Sequence, residues 1–344
     1  MNDKCIYRKI GFVVILFVFL TGCSGTEKTV SDRPEQDRGY VSTTGSEQIR
    51  DEIMQNFESI KRLQNNVVYR TYQFNLDALP TREEVQNQSL RSLAVNSIRE
   101  DHSTAGTAVV LSNRGGRSTL LTAAHVVSFA DTIWHESDVS GRMEAVSVLE
   151  STSHLLMTED GLYGVEPAIV DQRRDLALVV HRWRNDQDPG LKPLQASPGH
   201  HEELDWTDMV YALGYPRGFQ MVTRGMVSKF MTIPRRSFVI DAPFNRGFSG
   251  GVLFTVRRDG SGLDWVGILS AAYAETEYVL TPGDMQSREY NPNIEYDGPI
   301  YMERINRLNY GITYAVGMEE VGAFFRENSN EIRRLRLSVP SVPE

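Results

Sequence analysis

Between residues 46 and 64, Ile49, Ile53, Phe57, Ile60 and Leu63 recur at three- and four-residue steps, and that period predicts an amphipathic helix. Residues 67–74 then alternate apolar and polar, which predicts a strand. Thr81 is followed three residues later by Glu84, the capping-box spacing, so a second helix is expected from 82 into the middle nineties. After residue 100 the texture changes to short apolar runs broken by Gly, Pro, Asn and Asp. These predict strands at 107–111, 119–123, 145–149, 167–170, 176–181, 209–213, 222–230, 237–241, 252–256, 265–270 and 312–316. A last helix over 318–326 places Val321, Phe324 and Phe325 on one side. Many short strands and few helical periods give a mainly β chain, a sandwich or a barrel.

The first residues follow a different rule. Lys4, Arg8 and Lys9 precede an apolar run over 10–20, too short for the roughly 20 residues of a membrane-spanning helix and fit for a signal peptide. The run ends in Leu20, Thr21, Gly22 and Cys23, which resembles the lipobox of bacterial lipoproteins. That resemblance implies cleavage after Gly22, acylation of Cys23 and attachment to a membrane through the lipid. With Ser24 following, it implies export and a lipid anchor in the bacterial cell envelope, on the periplasmic face of the outer membrane. Polar residues without an apolar period continue to about 45, as in a flexible tether. The expected organisation is a signal peptide over 1–22, a tether over 23–45, an extension over 46–100, a main domain over 101–327 and a tail over 328–344.

Composition narrows the function classes. Over 344 residues, 40% hydrophobic and 24% charged content is ordinary for a globular protein. A formal charge of −9, with no basic cluster, gives nucleic-acid binding no electrostatic support. Both cysteines, Cys5 and Cys23, lie near the start, so no disulfide can staple the main domain. His200, His201, Glu202 and Glu203 are metal-binding types without the His-Glu-x-x-His spacing, beside Pro198 and Gly199, and a solvated loop is expected there. No metal and no cofactor is implied.

Three motifs carry candidate chemistry. His125 follows an apolar strand and two small residues, Ala123 and Ala124, which leave room for a tight turn. Asp175 opens the apolar run Leu176 to Val179. Ser249 lies in Gly247-Phe248-Ser249-Gly250-Gly251, where glycines free the backbone to turn and keep side chains away from the hydroxyl. An apolar strand pattern follows this motif, not the helix that a nucleophile elbow requires. Together they offer a nucleophile, a base for its proton and a carboxylate to orient that base.

The motifs at His125, Asp175 and Ser249, in that chain order, resemble those of trypsin-like serine proteases of the chymotrypsin fold. Gly106 to Val110, Ala212 to Pro216, Thr223 to Ser228 and Val266 to Ser270 extend the likeness over about 104–327. It is nearest to bacterial HtrA/Deg-type protease domains without a PDZ module. The resemblance implies two six-stranded antiparallel β-barrels, here with an N-terminal helical extension and a C-terminal helix. It implies an endopeptidase that cleaves polypeptide substrates through a Ser249–His125–Asp175 triad and an acyl-enzyme, with the Gly247 and Ser249 amides as oxyanion hole. Ser270, Ala271 and Ala272 would pair with substrate backbone. Pro243, where trypsins carry a carboxylate, implies a small or medium neutral residue before the cut. Phe248 departs from the family, which has Asn or Asp there, and is expected to alter the oxyanion loop or roof the cleft. It supports an alternative, an inactive or latent protease-like domain that binds peptides or partner proteins. A second departure is the long stretch over 275–310, with Tyr278, Tyr290, Tyr296 and Tyr301, expected to be a specificity loop or lid.

Overall fold

The computed structural model describes residues 47–137, 141–184, 187–233, 236–282 and 300–342. The expected signal peptide, the tether with Cys23, and Tyr290 and Tyr296 lie outside the described residues.

Helix α1, Glu47–Phe57, buries Ile49, Ile53 and Phe57. It stops short of the predicted 64, because Ile60 and Leu63 already belong to strand β1, Ile60–Gln73. The residues facing inward along β1 include Leu63, Asn65, Val67, Tyr69 and Thr71, a two-residue alternation. The predicted strand over 67–74 is thus the second half of β1. Asn65 and Thr71 are polar members of the buried face, and Asn65 interrupts the apolar pattern in the first half, which begins inside the predicted helix. Asn65 donates to Val126 O at 2.7 Å and pairs with His154 Nδ1 at 2.7 Å, so its burial leaves no amide atom orphaned. The second predicted helix is two short ones, α2, Arg82–Asn87, and α3, Leu90–Leu93. The Thr81 and Glu84 capping box is formed.

The next strands are β2 (Asn96–Asp101), β3 (Thr104–Arg114) and β4 (Arg117–Thr122), followed by the one-turn helix α4 (Ala124–Val127). Then come β5 (Thr132–Glu136), β6 (Met143–Met157), β7 (Leu162–Asp171) and β8 (Leu176–Arg182). The order β1-β3-β4-β8-β7-β6 closes on itself through an antiparallel β1–β6 pairing. Closure removes the free edges that an open sheet would expose. Residues 46–100 therefore supply a barrel strand as well as helices.

A second barrel uses β10 (Met209–Gly214), β11 (Met221–Ile233), β12 (Arg236–Ile240), β13 (Val252–Val256), β14 (Leu263–Pro282) and β15 (Ile300–Gly317), with the two-residue β9 (Ser197–Pro198) beside β14. The order β13-β10-β11-β12-β15-β14 closes through β13–β14. Two six-stranded antiparallel barrels are thus present, as the resemblance implied. The stretch over 275–310 is in part a ribbon rather than a loop, since β14 and β15 remain paired from Tyr273 with Asn309 to Pro282 with Ile300.

Each barrel has its own interior. Leu63, Val110, Leu120 and Val179 fill the first, and Val210, Phe238, Leu253 and Val266 the second. The outward faces of the same strands form a third core between the barrels. Val109, Leu121 and Leu178 meet Val252, Phe254, Trp265 and Ile268 there. Helix α1 and helix α5, Met318–Glu327, cap it with Phe57, Val321 and Phe324. Strands buried on both faces explain runs such as Leu176 to Val180, which do not alternate. At about 1.5–3 kcal/mol per fully buried Leu, Val, Ile or Phe, this third core holds the two barrels in register. Helix α6, Ser329–Arg334, then places Ile332 in the same core, and the chain after it adds Leu337.

Candidate active site

Three loops converge where the barrels meet. His125 rides on α4, immediately after β4. Its backbone N–H donates to Asp175 Oδ1 at 3.0 Å, and Ala124 N–H donates to Asp175 O at 3.0 Å. Asp175 sits at φ 59°, a left-handed conformation that Asp tolerates better than most residues. The turn before it is fastened by Arg174, buried at 4% side-chain exposure. The Arg174 guanidinium holds Asp171 at 2.7 Å within the turn, and Glu320 at 2.8 Å and Glu327 at 2.5 Å on α5. These carboxylates, Glu327 foremost, push the Arg174 pKa further above its ordinary value.

The side chains form a continuous line. His125 Nδ1 lies 2.9 and 2.8 Å from the two Asp175 carboxylate oxygens, and His125 Nε2 lies 2.9 Å from Ser249 Oγ. Ser270 Oγ donates to Asp175 Oδ2 at 2.6 Å. Burial pushes the Asp175 carboxyl up, but hydrogen bonds and charge from His125, with the Ser270 hydroxyl, outweigh it and hold the group below the ordinary carboxylate range. With Asp175 ionised, Nδ1 carries the imidazole proton and Nε2 accepts from the Ser249 hydroxyl. The arrangement can take a proton from Ser249 and stabilise the imidazolium that results. Asp175 is closed off from solvent while the His125 side chain remains 39% exposed, so the line opens to solvent at the imidazole.

Around Ser249 the backbone is tightly specified. Gly247 has φ 105°, and a Cβ there would stand 2.5 Å from Tyr215 O. Gly250 has φ 84°, and its Cβ would strike Thr107 O at 2.1 Å. Only glycine fits either position. Arg246 O accepts from Arg217 N–H at 2.8 Å, and among the described residues the Gly247 and Ser249 amides donate to no acceptor. Two unpaired amides flanking the hydroxyl suit an oxyanion.

Thr107 joins the barrels at this point. Its N–H donates to Ser249 O at 2.8 Å, its Oγ1 donates to Gly247 O at 2.6 Å, and Tyr215 N–H donates to that Oγ1 at 2.9 Å. Thr107 is fully buried. Neither Thr107 nor the Ser270 hydroxyl announced these roles in sequence. Thr107 reads as a strand residue, and Ser270 stood out only for its backbone.

Other expectations change. Phe248 does not roof the cleft; it is 1% exposed, within the second barrel core, with its ring 6.0 Å from that of Phe244. Its size suits an apolar hole that a shorter polar residue would leave unfilled. Pro243 is exposed near the nucleophile loop. Ser270 is buried, and Ala271 and Ala272 pair with Tyr314 and Thr313 of β15. The opposite edge of β14 stays paired with β13 only as far as Ile268. The solvated loop expected at 200–203 is instead partly buried. His201 stacks on Phe238 at 5.8 Å and hydrogen-bonds Glu319, and burial pushes its imidazole pKa down.

Residues 106–268 match the family model for the trypsin-like peptidase domain. That stretch, a little under half of the chain, is similar to trypsin-like peptidase domains. It holds His125, Asp175 and Ser249, while β1, the distal ribbon and α5 lie outside it. Among solved structures, the HtrA-type protease AlgW with a tripeptide aligns at 17% identity and a TM-score of 0.42, over 84% of this chain and 64% of that one. An AlgW structure with a decapeptide aligns at 18% identity and a TM-score of 0.42, over 83% of this chain and 67% of the other. The chain thus spans about two thirds of the length of these structures. No curated protein matches the chain significantly.

Proposed function

We propose that the trypsin-like domain is a serine endopeptidase acting on polypeptides through Ser249, His125 and Asp175. The observation that carries this reading is the placement of one imidazole within 2.9 Å of both a buried carboxylate and a hydroxyl. Ser249 Oγ attacks the scissile carbonyl as His125 Nε2 takes its proton. Asp175 holds the tautomer and the imidazolium, and the Gly247 and Ser249 amides receive the oxyanion. His125 then protonates the leaving amine, and water, activated by the same imidazole, releases the acyl group. Substrate backbone lies along 270–272 on the β14 edge beyond β13, as an added strand. Pro243 brings no carboxylate to select a basic side chain, so a small or medium neutral residue precedes the cut. Acylation at Cys23 would hold the enzyme at the periplasmic face of the outer membrane.

The test is reaction with a fluorophosphonate probe, mapped by mass spectrometry. Labelling at Ser249, lost in Ser249→Ala together with casein cleavage, is expected. If a folded protein takes no label under any condition, the domain is a binding module; if Ser249→Ala still cleaves casein, the nucleophile lies elsewhere.

A further inference from the structure

At the end of β4 away from His125, the β3–β4 hairpin meets the chain that follows α6. Arg114 and Arg117 of the hairpin, with Arg333 and Arg336 of the C-terminal segment, line one cavity of about 600 Å³. Strand β4 runs from Arg117 to Thr122, so the cavity lies roughly 17 Å along that strand from the Ser249 cleft, at about 3.4 Å per residue.

Four guanidiniums around one hollow are unexpected in a protein of charge −9. Elsewhere such groups meet carboxylates, as Arg70 meets Glu150 and Arg257 meets Asp264. Among the described residues no carboxylate lines this cavity and none of the four arginines is ion-paired. Their partners are neutral: Arg114 bonds Ser338 Oγ, Arg117 bonds Gly115 O at 3.2 Å, and Arg333 bonds Asn330 Oδ1 at 2.5 Å. Among the described residues Arg117 Nε is buried without an acceptor.

The walls are built rather than incidental. Ser112 Oγ donates to Ser338 O at 2.9 Å, and Ser338 N–H reaches Thr119 Oγ1 at 3.4 Å, so the C-terminal segment is fastened to both hairpin strands. Arg336 occupies φ 53°, a conformation that a non-glycine residue takes at some cost.

We propose that this cavity binds a phosphate group, carried either by a free phosphate or phosphomonoester or by the phosphodiester of a lipid headgroup. A lone carboxylate offers two oxygens in one plane. A phosphate presents oxygens in several directions to guanidiniums arriving from two segments, each with a planar fork that can give paired N–H bonds. Arginine stays charged at every working pH, so the cavity attracts anions throughout.

The test is calorimetric titration of the full chain in detergent with inorganic phosphate, and separately with glycerophosphoglycerol, a soluble headgroup diester. One probe is expected to bind saturably near one-to-one with Kd below about 1 mM. That affinity is expected to fall about tenfold or more in Arg333→Gln/Arg336→Gln, whose exposed positions leave the fold intact by circular dichroism. Preference for phosphate identifies a free or monoester ligand, and preference for the diester identifies a lipid. Saturable binding of neither probe, or undiminished binding by the double variant, overturns the proposal.

Discussion

Asp175 combines a left-handed backbone, complete burial and a lowered carboxyl pKa, each traceable to named neighbours. Asp175→Asn keeps the shape but removes the charge that orients His125, so peptide hydrolysis is expected to fall about 10⁴-fold in steady-state assays. The pH sign follows from the same group. A folded carboxyl held below its ordinary value of 3.8 stabilises the protein above that value and loses the contribution as pH falls through the folded value. Urea unfolding of the wild type is therefore expected to show a drop below about pH 4 to which Asp175→Asn contributes nothing. Thr107→Val tests the seam. The valine keeps the volume but leaves Tyr215 N–H and Gly247 O without their partner, at about 1–3 kcal/mol per buried group. Slower probe labelling of Ser249 is expected alongside a lower unfolding midpoint.

At the scale of elements, most strands after residue 100 were legible because they are apolar runs between turn formers, whereas β5, with Thr132, His135 and Glu136, and the ribbon that extends β14 and β15 were not. The histidine, aspartate and serine motifs were legible because their small residues and glycines are demanded by the backbone, as at Gly247 and Gly250. β1 was legible only over 67–73; its first half falls largely within the predicted helix, and there the inward Asn65 is paired with Val126 O on α4 and with His154 on β6, partners that no local pattern reveals. Helix α5 was visible by its period, but its grip on the Asp175 turn depends on Glu320 and Glu327 meeting Arg174 across 146 and 153 residues of chain. Arg174→Gln is expected to cost about 1.5–3 kcal/mol in urea unfolding, screening at half-exposed Glu327 keeping it below the figure for a fully buried pair. Hydrolysis is expected to fall with it, through a looser Asp175 rather than a missing contact to substrate.

Over the whole molecule, the two barrels share a core that neither would have alone, and no disulfide contributes, since Cys5 and Cys23 are the only cysteines. The proposed attachment is correspondingly separable from the fold. Cys23→Ser is expected to abolish acyl labelling and move the protein out of the outer-membrane fraction, with the unfolding midpoint of the domain unchanged, because acyl chains act at about 0.8 kcal/mol per CH₂ buried in lipid. Phe248 has a further consequence. The nucleophile loop is moored by an aromatic ring sunk in hydrocarbon. Ionic strength and protonation have no hold on such a mooring, whereas chaotropes and cold weaken it. Sensitivity of Ser249 to the probe should accordingly track urea below the unfolding transition and ignore added sodium chloride.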